Sequence, residues 1–161
     1  MERYGGAVSW LASVPVIEPL ACWATAIDFE DWPQQTRLDD GLVRPAMAQE
    51  AAWHGMGEVT APYLAGVLSH LPGTRAGHAI LTVVMPGHGI PPHTDAQGAA
   101  WRCRVHIPLT TNAESQFVVD GEAHHMDVGS AYIVNTEAEH SVVNGGSTPR
   151  IHLMFDVYER E

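Results

Sequence analysis

The chain has 161 residues, of which 45% are hydrophobic and 17% charged, a composition typical of one soluble globular domain. Nineteen acidic and eight basic residues give a formal net charge of −11, which disfavours nucleic acid and anionic membranes as partners. No apolar run reaches the roughly 20 residues that cross a bilayer, and the first residues lack a signal-peptide pattern, so we expect a cytoplasmic location.

The first part of the chain has few regular patterns. Residues 1–44 mix tryptophans and prolines, which predicts short strands or loops that pack against the outside of a core. Residues 46–54 have good helix propensity. Residues 61–71 predict a second helix, capped by Thr60, with an apolar face. Pro62 lies in its first turn, and the face consists of Leu64, Val67, Leu68 and Leu71.

The texture changes near residue 75, where short β-rich runs begin to alternate with turn residues. The dipeptide Asp120-Gly121 between two such runs is a strong hairpin signal. Eight strands are predicted at 78–85, 90–94, 102–109, 116–119, 122–126, 131–135, 140–144 and 150–158. The connections leave no room for crossover helices, so the sheet should be antiparallel.

These elements predict an all-β core with a few helices, closed as a double-stranded β-helix of the jelly-roll or cupin class. We predict a single domain over 1–161, in which helices and loops of 1–74 support the core at 75–158. Cys22 and Cys103 lie 81 positions apart and match neither a disulfide framework nor a zinc pair. Both are predicted to be reduced and buried, with a disulfide as the alternative.

A candidate metal site follows from His93-Thr94-Asp95, because residues two apart on a strand share a face. His140, at the start of another predicted strand, can add a third ligand. Two imidazoles and one carboxylate leave coordination positions open, as non-haem iron(II) requires when it also binds a co-substrate and O2. Taken alone, the motif is more often a turn histidine and a capping aspartate than a metal site.

Other histidines make weaker ligands. Zinc prefers a closed tetrahedral set, and no fourth protein ligand is evident. His124 and His125 are adjacent, so on a strand they point to opposite faces and cannot chelate one ion together. We predict that this pair lies on a hairpin surface.

Arginines near the metal motif suggest an anion site. All eight basic residues are arginine, and Arg150 opens the last predicted strand. Arg102, Arg104 and His106 share one face of an earlier strand, opposite an apolar face. A carboxylate held by a bidentate arginine would account for cations that face a metal. The alternative is a structural ion pair with one of the acidic residues.

Four ordered pieces of residues 78–158 resemble the aspartyl/asparaginyl β-hydroxylase family of 2-oxoglutarate and iron(II) oxygenases. The pieces are Met85-Pro86-Gly87 with Pro92-His93-Thr94, Arg102-Cys103-Arg104-Val105-His106, Glu139-His140-Ser141-Val142, and Arg150-Ile151-His152-Leu153-Met154-Phe155-Asp156-Val157. The ten-residue gap from His140 to Arg150 and the R-x-R-x-H strand also resemble the family. Asp95 stands where some vertebrate members have glycine, and it completes the triad.

The resemblance implies roles for individual residues. His93 and His140 bind iron, and Arg150 with the Thr82 hydroxyl holds the distal carboxylate of 2-oxoglutarate. His106 and Arg104 lie near its other carboxylate, although Arg102 or Arg104 can instead meet an acidic substrate. Candidate substrate contacts are Arg102, Gln97, Trp101 and Asn135; Asn135 can equally cap a turn.

The resemblance therefore predicts an enzyme that uses Fe(II), 2-oxoglutarate and O2. It would hydroxylate a C–H bond of an amino acid, a peptide residue or a small carboxylated metabolite, and release succinate and CO2. Two alternatives stay open: a cupin-like metal enzyme that does not use 2-oxoglutarate, and a non-catalytic barrel that senses a metal or a small acid. The sequence does not specify the substrate or the oligomeric state.

Overall fold

The computed structural model describes residues 7–18, 57–95 and 98–160. These residues form nine strands and one helix. In chain order they are β1 (Val8–Ser13), α1 (Gly57–Leu68), β2 (Thr74–Val84), β3 (His88–His93), β4 (Trp101–Thr110), β5 (Ser115–Val119), β6 (Glu122–His124), β7 (Ser130–Val134), β8 (His140–Asn144) and β9 (Arg150–Glu159).

The strands form two antiparallel sheets. The large sheet has the order β1-β7-β4-β9-β2, and the small sheet has the order β3-β8-β5-β6. Strands that are neighbours in the chain often lie in different sheets, which is the jelly-roll pattern. The predicted double-stranded β-helix class is confirmed, and so are its eight strands after residue 75.

The two faces of the large sheet differ because side chains alternate along each strand. The outward face packs against α1 through an apolar core, and in β9 that core takes every second residue. Its members include Leu64, Val67 and Leu71 from α1 and its turn, Val105 and Ile107 from β4, and Ile151, Leu153, Phe155 and Val157 from β9. The inward face is left to the intervening residues, which are mostly polar.

A second, smaller apolar cluster joins the two sheets. Val84, Tyr132 and Val134 of the large sheet belong to the same cluster as Phe117 and Val142 of the small sheet. The sheets therefore pack face to face, and the polar residues between them lie in a space walled by apolar side chains.

The hairpin between β5 and β6 has the predicted turn. Asp120 has φ 48° and Gly121 has φ 81°. Two consecutive residues with positive φ characterise a type I′ turn, whose twist matches that of the flanking strands.

The helix differs from its prediction at both ends. It begins at Gly57, so Thr60 is a helical residue rather than the cap, and it ends at Leu68. Cap patterns locate a helix start only to within a few residues, and Pro62 is tolerated inside the helix at the expense of one backbone hydrogen bond. Leu71 is buried as predicted, but from the turn that follows.

Other predictions are confirmed only in part. Cys103 is free and buried, and burial raises the pKa of its thiol to about 12. Cys22 and the helix predicted at 46–54 lie outside the described residues. Within the described part of the chain, no helix is both long and apolar enough to span a membrane.

Candidate active site

Two histidines lie side by side on neighbouring strands of the small sheet. His93 ends β3 and His140 begins β8, and the two are direct partners in the antiparallel register. Their ring centroids are 4.2 Å apart. The pairing of β3 with β8 thus brings together two residues that are 47 positions apart in the sequence.

Backbone carbonyls fix the tautomer of both rings. His93 Nδ1 lies 2.8 Å from the Pro91 oxygen, and His140 Nδ1 lies 2.9 Å from the Ala138 oxygen. A carbonyl only accepts hydrogen bonds, so each neutral ring donates from Nδ1 and keeps a lone pair on Nε2. Burial lowers the pKa of His140, although its bond to Ala138 opposes the shift.

Asp95 completes the group. Its Oδ1 lies 3.8 Å from His93 Nε2, and its Oδ2 lies 3.8 Å from His140 Nε2. One ligand atom from each of the three side chains lies within 4.8 Å of the other two. Two imidazole lone pairs and a carboxylate oxygen are the donors that non-haem iron(II) accepts, so the residues fit such an ion.

A cavity opens between the sheets beside this group. One wall carries cationic and neutral polar groups, and the other is largely apolar. Its lining is Thr82, Ile90, His93, Arg104, His106, Phe117, Thr136, His140, Val142, Arg150 and Met154.

Arg150 is the most unusual of these residues, because it is a buried cation without a carboxylate partner among the described residues. It is 2% exposed. Its Nη2 donates to His152 Nδ1 at 2.9 Å, and its guanidinium lies 6.0 Å from the centre of the Phe117 ring. Burial lowers the pKa of Arg150 to about 9. A buried charge is costly unless it is paired, so this arginine is suited to an anion that enters the cavity.

Unpartnered polar atoms surround Arg150. Because an arginine can only donate, His152 accepts at Nδ1 and, when neutral, carries its proton on Nε2. His152 Nε2, His106 Nε2 and Thr136 Oγ1 are all buried without a hydrogen-bond partner. Burial, followed by the charge of Arg150, lowers the pKa of both His106 and His152 well below the usual range. These buried polar atoms of the cavity region therefore have no hydrogen-bond partners within the described part of the chain.

Thr82 lies in the same cavity as Arg150. It is on β2, directly opposite His152 in the register, and it lines the cavity. Its hydroxyl donates to the His152 carbonyl at 3.4 Å, which is a long hydrogen bond. The hydroxyl therefore remains available to a ligand near Arg150.

Arg104 lines the cavity, and its donors already have carboxylate partners. Its Nε and Nη2 each donate to Asp156 at 3.0 Å, and its Nη1 donates to Asp95 Oδ2 at 2.5 Å. Burial alone would lower the pKa of Arg104, but these two carboxylates raise it above its usual value. The charge of Arg104 is thus already balanced within the protein rather than reserved for 2-oxoglutarate.

Three predicted substrate contacts have other partners. Arg102 forms an ion pair with Glu159 and does not line the cavity. Trp101 is 1% exposed and is not among the residues that line the cavity, and its indole N–H donates to Asp156. Asn135 accepts from the Glu137 backbone N–H, which is the turn-capping alternative. The fourth candidate, Gln97, lies outside the described residues.

A smaller space lies on the other side of Arg150. His124 Nε2 and Ser115 Oγ are buried there without partners, next to His152. His124 lies on the predicted hairpin and is half-buried. His125 is more open and lies 3.4 Å from Asp127.

Sequence reasoning gave no role to His152 or Asp156. Both follow Arg150 at even spacing on β9, so strand alternation alone places them on the inward face. That alternation was the signal that could have identified them. Phe117, which stacks on the His140 ring at 5.7 Å, had no comparable signal.

The sequence matches the family model of the aspartyl/asparaginyl β-hydroxylases over residues 46–160. The chain belongs to this family. The assignment makes it a hydroxylase, and Fe(II), 2-oxoglutarate and O2 are the cofactors of that enzyme class. No curated protein sequence matches the chain significantly.

Solved structures share the fold of this hydroxylase-family chain at low sequence identity. AviO1 from Streptomyces viridochromogenes Tue57 is 13% identical with a TM-score of 0.64, over 95% of this chain and 90% of that one. A prolyl-4-hydroxylase from Pseudomonas putida is 14% identical with a TM-score of 0.56, over 98% and 95%. The viral collagen prolyl hydroxylase of Paramecium Bursaria Chlorella virus-1, in a 2-oxoglutarate complex, is 9% identical with a TM-score of 0.57, over 98% and 99%.

Proposed function

We propose that this family member is an Fe(II)- and 2-oxoglutarate-dependent oxygenase that hydroxylates a C–H bond and releases succinate and CO2. The substrate class is an amino acid, a peptide residue or a small carboxylated metabolite. The single observation that carries the proposal is the pairing, in one cavity, of a triad fit for iron with a buried arginine that lacks a carboxylate partner among the described residues.

The triad would hold the metal through His93 Nε2, His140 Nε2 and one oxygen of Asp95. Both histidines are oriented by their Nδ1 contacts with backbone carbonyls, so in the neutral form each ring presents its Nε2 lone pair to the metal. When bound, Fe(II) supplies the activation of O2 that couples decarboxylation of 2-oxoglutarate to hydroxylation.

Arg150 would bind the distal carboxylate of 2-oxoglutarate. The low dielectric around a fully buried guanidinium strengthens its attraction for an anion. A bound carboxylate would in turn offset the free-energy cost of burying the Arg150 charge. The Thr82 hydroxyl can donate to the same carboxylate. His106 lies on the neighbouring strand β4, lines the same cavity and has an unpartnered Nε2. It would lie near the other carboxylate of 2-oxoglutarate.

The remaining wall keeps bulk water away. Ile90, Phe117 and Val142 of the small sheet and Met154 of β9 form the apolar part of the cavity lining. An apolar wall limits hydration of the bound acid and preserves the strength of the charged contacts. The cavity residues thus bind and orient a dicarboxylic acid beside the triad.

Succinate formation tests this proposal. Purified protein is incubated with Fe(II), ascorbate, 2-oxoglutarate and air, alone and with pools of free amino acids, short peptides or small carboxylic acids. We expect slow succinate release without substrate, and stimulation by the pool that contains it. Arg150→Ala should abolish the release, whereas Arg75→Ala, which removes an exposed arginine on β2, should leave it unchanged.

The alternatives have their own outcomes. Iron bound without any succinate in all pools would contradict the proposal and favour a metal enzyme that does not use 2-oxoglutarate, or a sensor. If succinate formed equally fast in Arg150→Ala, the proposed role of Arg150 would be contradicted, but the use of 2-oxoglutarate as co-substrate would still be supported.

A further inference from the structure

Asp95 is the one member of the triad that the sheets do not hold. It lies two residues beyond the end of β3, outside the strand ladder. Its backbone N–H donates to the Thr136 carbonyl at 2.9 Å, and its side chain accepts from Arg104 Nη1. The strands hold the two histidines, whereas only these two hydrogen bonds hold Asp95. The bond from Arg104 is the one that reaches the Asp95 side chain, so the direction of the Asp95 carboxylate depends on Arg104.

Arg104 is itself held rigidly by Asp156. The two residues are direct partners across β4 and β9, and the guanidinium makes two parallel bonds of 3.0 Å to the two carboxylate oxygens. This fork geometry fixes the plane of the guanidinium as well as its position. Trp101 adds a third donor, because its Nε1 lies 3.0 Å from Asp156 Oδ1.

The end of this chain of contacts that is remote from Asp95 is shielded from water, whereas the Arg104 and Asp95 side chains are partly exposed. Trp101 is 1% exposed and Asp156 is 8% exposed. Bonds among buried, charged groups are stronger than those at a surface, and the planar indole and guanidinium have few alternative positions. A rigid path therefore runs from the buried indole to the carboxylate of the triad.

We propose that Asp156 and Trp101 are positioning residues that orient Asp95 through Arg104. Arg104 occupies Oδ2 of Asp95, which leaves Oδ1, the oxygen nearer to His93, to bind the metal as a single ligand atom. This proposal rests on the triad of the proposed function.

Mn(II) is a suitable probe, because it binds the same ligand types, needs no oxygen-free handling and gives an electron paramagnetic resonance signal when free in solution. Its dissociation constant is measured for the wild type, Asp156→Asn, Asp95→Ala and the double variant, without 2-oxoglutarate. Asp156→Asn keeps the side-chain size but loses the charge and one acceptor. We expect it to weaken Mn(II) binding by about 10-fold or more, the usual effect of outer-sphere residues.

The double variant separates positioning from a general structural effect. If Asp156 acts only through Asp95, Asp156→Asn has no further effect in the Asp95→Ala background. Glu159→Gln is the matched control, since it removes the ion pair of the neighbouring Arg102 on the same two strands, and we expect no change in the dissociation constant. Trp101→Phe removes one donor and keeps an aromatic ring, so a loss of about 2- to 5-fold is expected, consistent with one hydrogen bond.

Each result decides the proposal. An unchanged dissociation constant in Asp156→Asn, or an equal loss in both backgrounds, would overturn it. If Asp156→Asn does not fold, Trp101→Phe takes its place in the same four-variant comparison, with the same criteria. A wild type that binds no Mn(II) would instead overturn the triad itself, so the two failures are distinguishable.

Discussion

The two faces of the large sheet consist of side chains from the same strands, but the outward face packs in the core and the inward face lines the candidate active site. On β9, Ile151, Leu153 and Phe155 point outward into the core beneath α1, where apolar side chains bury one another. Arg150 and His152, which alternate with them in the sequence, point inward. There the Arg150 cation has no carboxylate partner among the described residues, and His106 Nε2 and His152 Nε2 have no hydrogen-bond partner. The outward face is complete without a ligand, whereas the inward face is not.

This contrast indicates which face contributes to the free energy of folding and which to the free energy of ligand binding. Burial of apolar area stabilises the fold directly. Buried polar groups without partners oppose folding, and they persist in proteins mainly where a ligand or a metal can satisfy them. Substitutions on the outward face should therefore affect stability, and substitutions on the inward face should affect binding.

The largest effect on stability is expected at Phe155, which is fully buried on the outward face. Phe155→Ala should lower the free energy of unfolding by about 3–5 kcal/mol, because it removes a large apolar side chain and leaves a cavity. Urea unfolding measures the loss. The dissociation constant for Mn(II), measured on the folded fraction, should stay within about 2-fold of the wild type. A large loss of metal affinity would show that the two faces are not separable.

Arg150→Met tests the inward face with a side chain of similar length. We expect it to weaken 2-oxoglutarate binding at least 100-fold, about 2.7 kcal/mol, since a buried guanidinium–carboxylate contact is lost. The free energy of unfolding without ligand should be unchanged or higher, because an unpaired buried charge is removed. Isothermal titration in the presence of Mn(II) and urea unfolding provide the two values. A fall in stability of several kcal/mol would contradict this view of Arg150.

The buried histidines predict a pH dependence of smaller size. The pKa values of His106 and His152 are lowered in the folded protein, so below about pH 6.5 the unfolded chain binds protons that the folded protein does not. Stability should fall with decreasing pH in that range, with each histidine contributing up to about 1.4 kcal/mol per pH unit. Above pH 6.5 their contribution should be constant.

His152→Gln isolates one of these contributions. In chelator-treated protein, urea unfolding between about pH 5 and 7 should show a shallower slope in the variant than in the wild type. His70→Gln, at an exposed position after α1, should leave the slope as it is. Equal slopes in the wild type and His152→Gln would mean that His152 takes up its proton in the folded state as readily as in the unfolded chain.

The strands were predictable from the sequence because turn residues and β-rich runs alternate regularly after residue 75. The alternation of β4 was predictable too: Arg104 and His106 point inward and Val105 points outward, as expected. Both features depend on local periodicity, which a sequence displays directly.

The partners of the inward side chains were not predictable, because they depend on strand order. Arg104 contacts Asp156, 52 residues away, only because β4 lies beside β9 in register. No local pattern encodes that neighbour, so the sequence left open whether Arg104 meets a ligand or a carboxylate of the protein. The partner of the Trp101 indole N–H was not predictable for the same reason, since Asp156 also lies on β9.

The central claim is that one cavity holds Fe(II) and 2-oxoglutarate together. It is tested most directly by an anaerobic titration of the protein with Fe(II) and then 2-oxoglutarate, with the wild type and Arg150→Met side by side. The account predicts a weak visible charge-transfer band, which marks 2-oxoglutarate chelated to Fe(II), in the wild type and its loss or weakening in the variant. Iron binding without a band in the wild type, or a band of equal strength in both proteins, would contradict it.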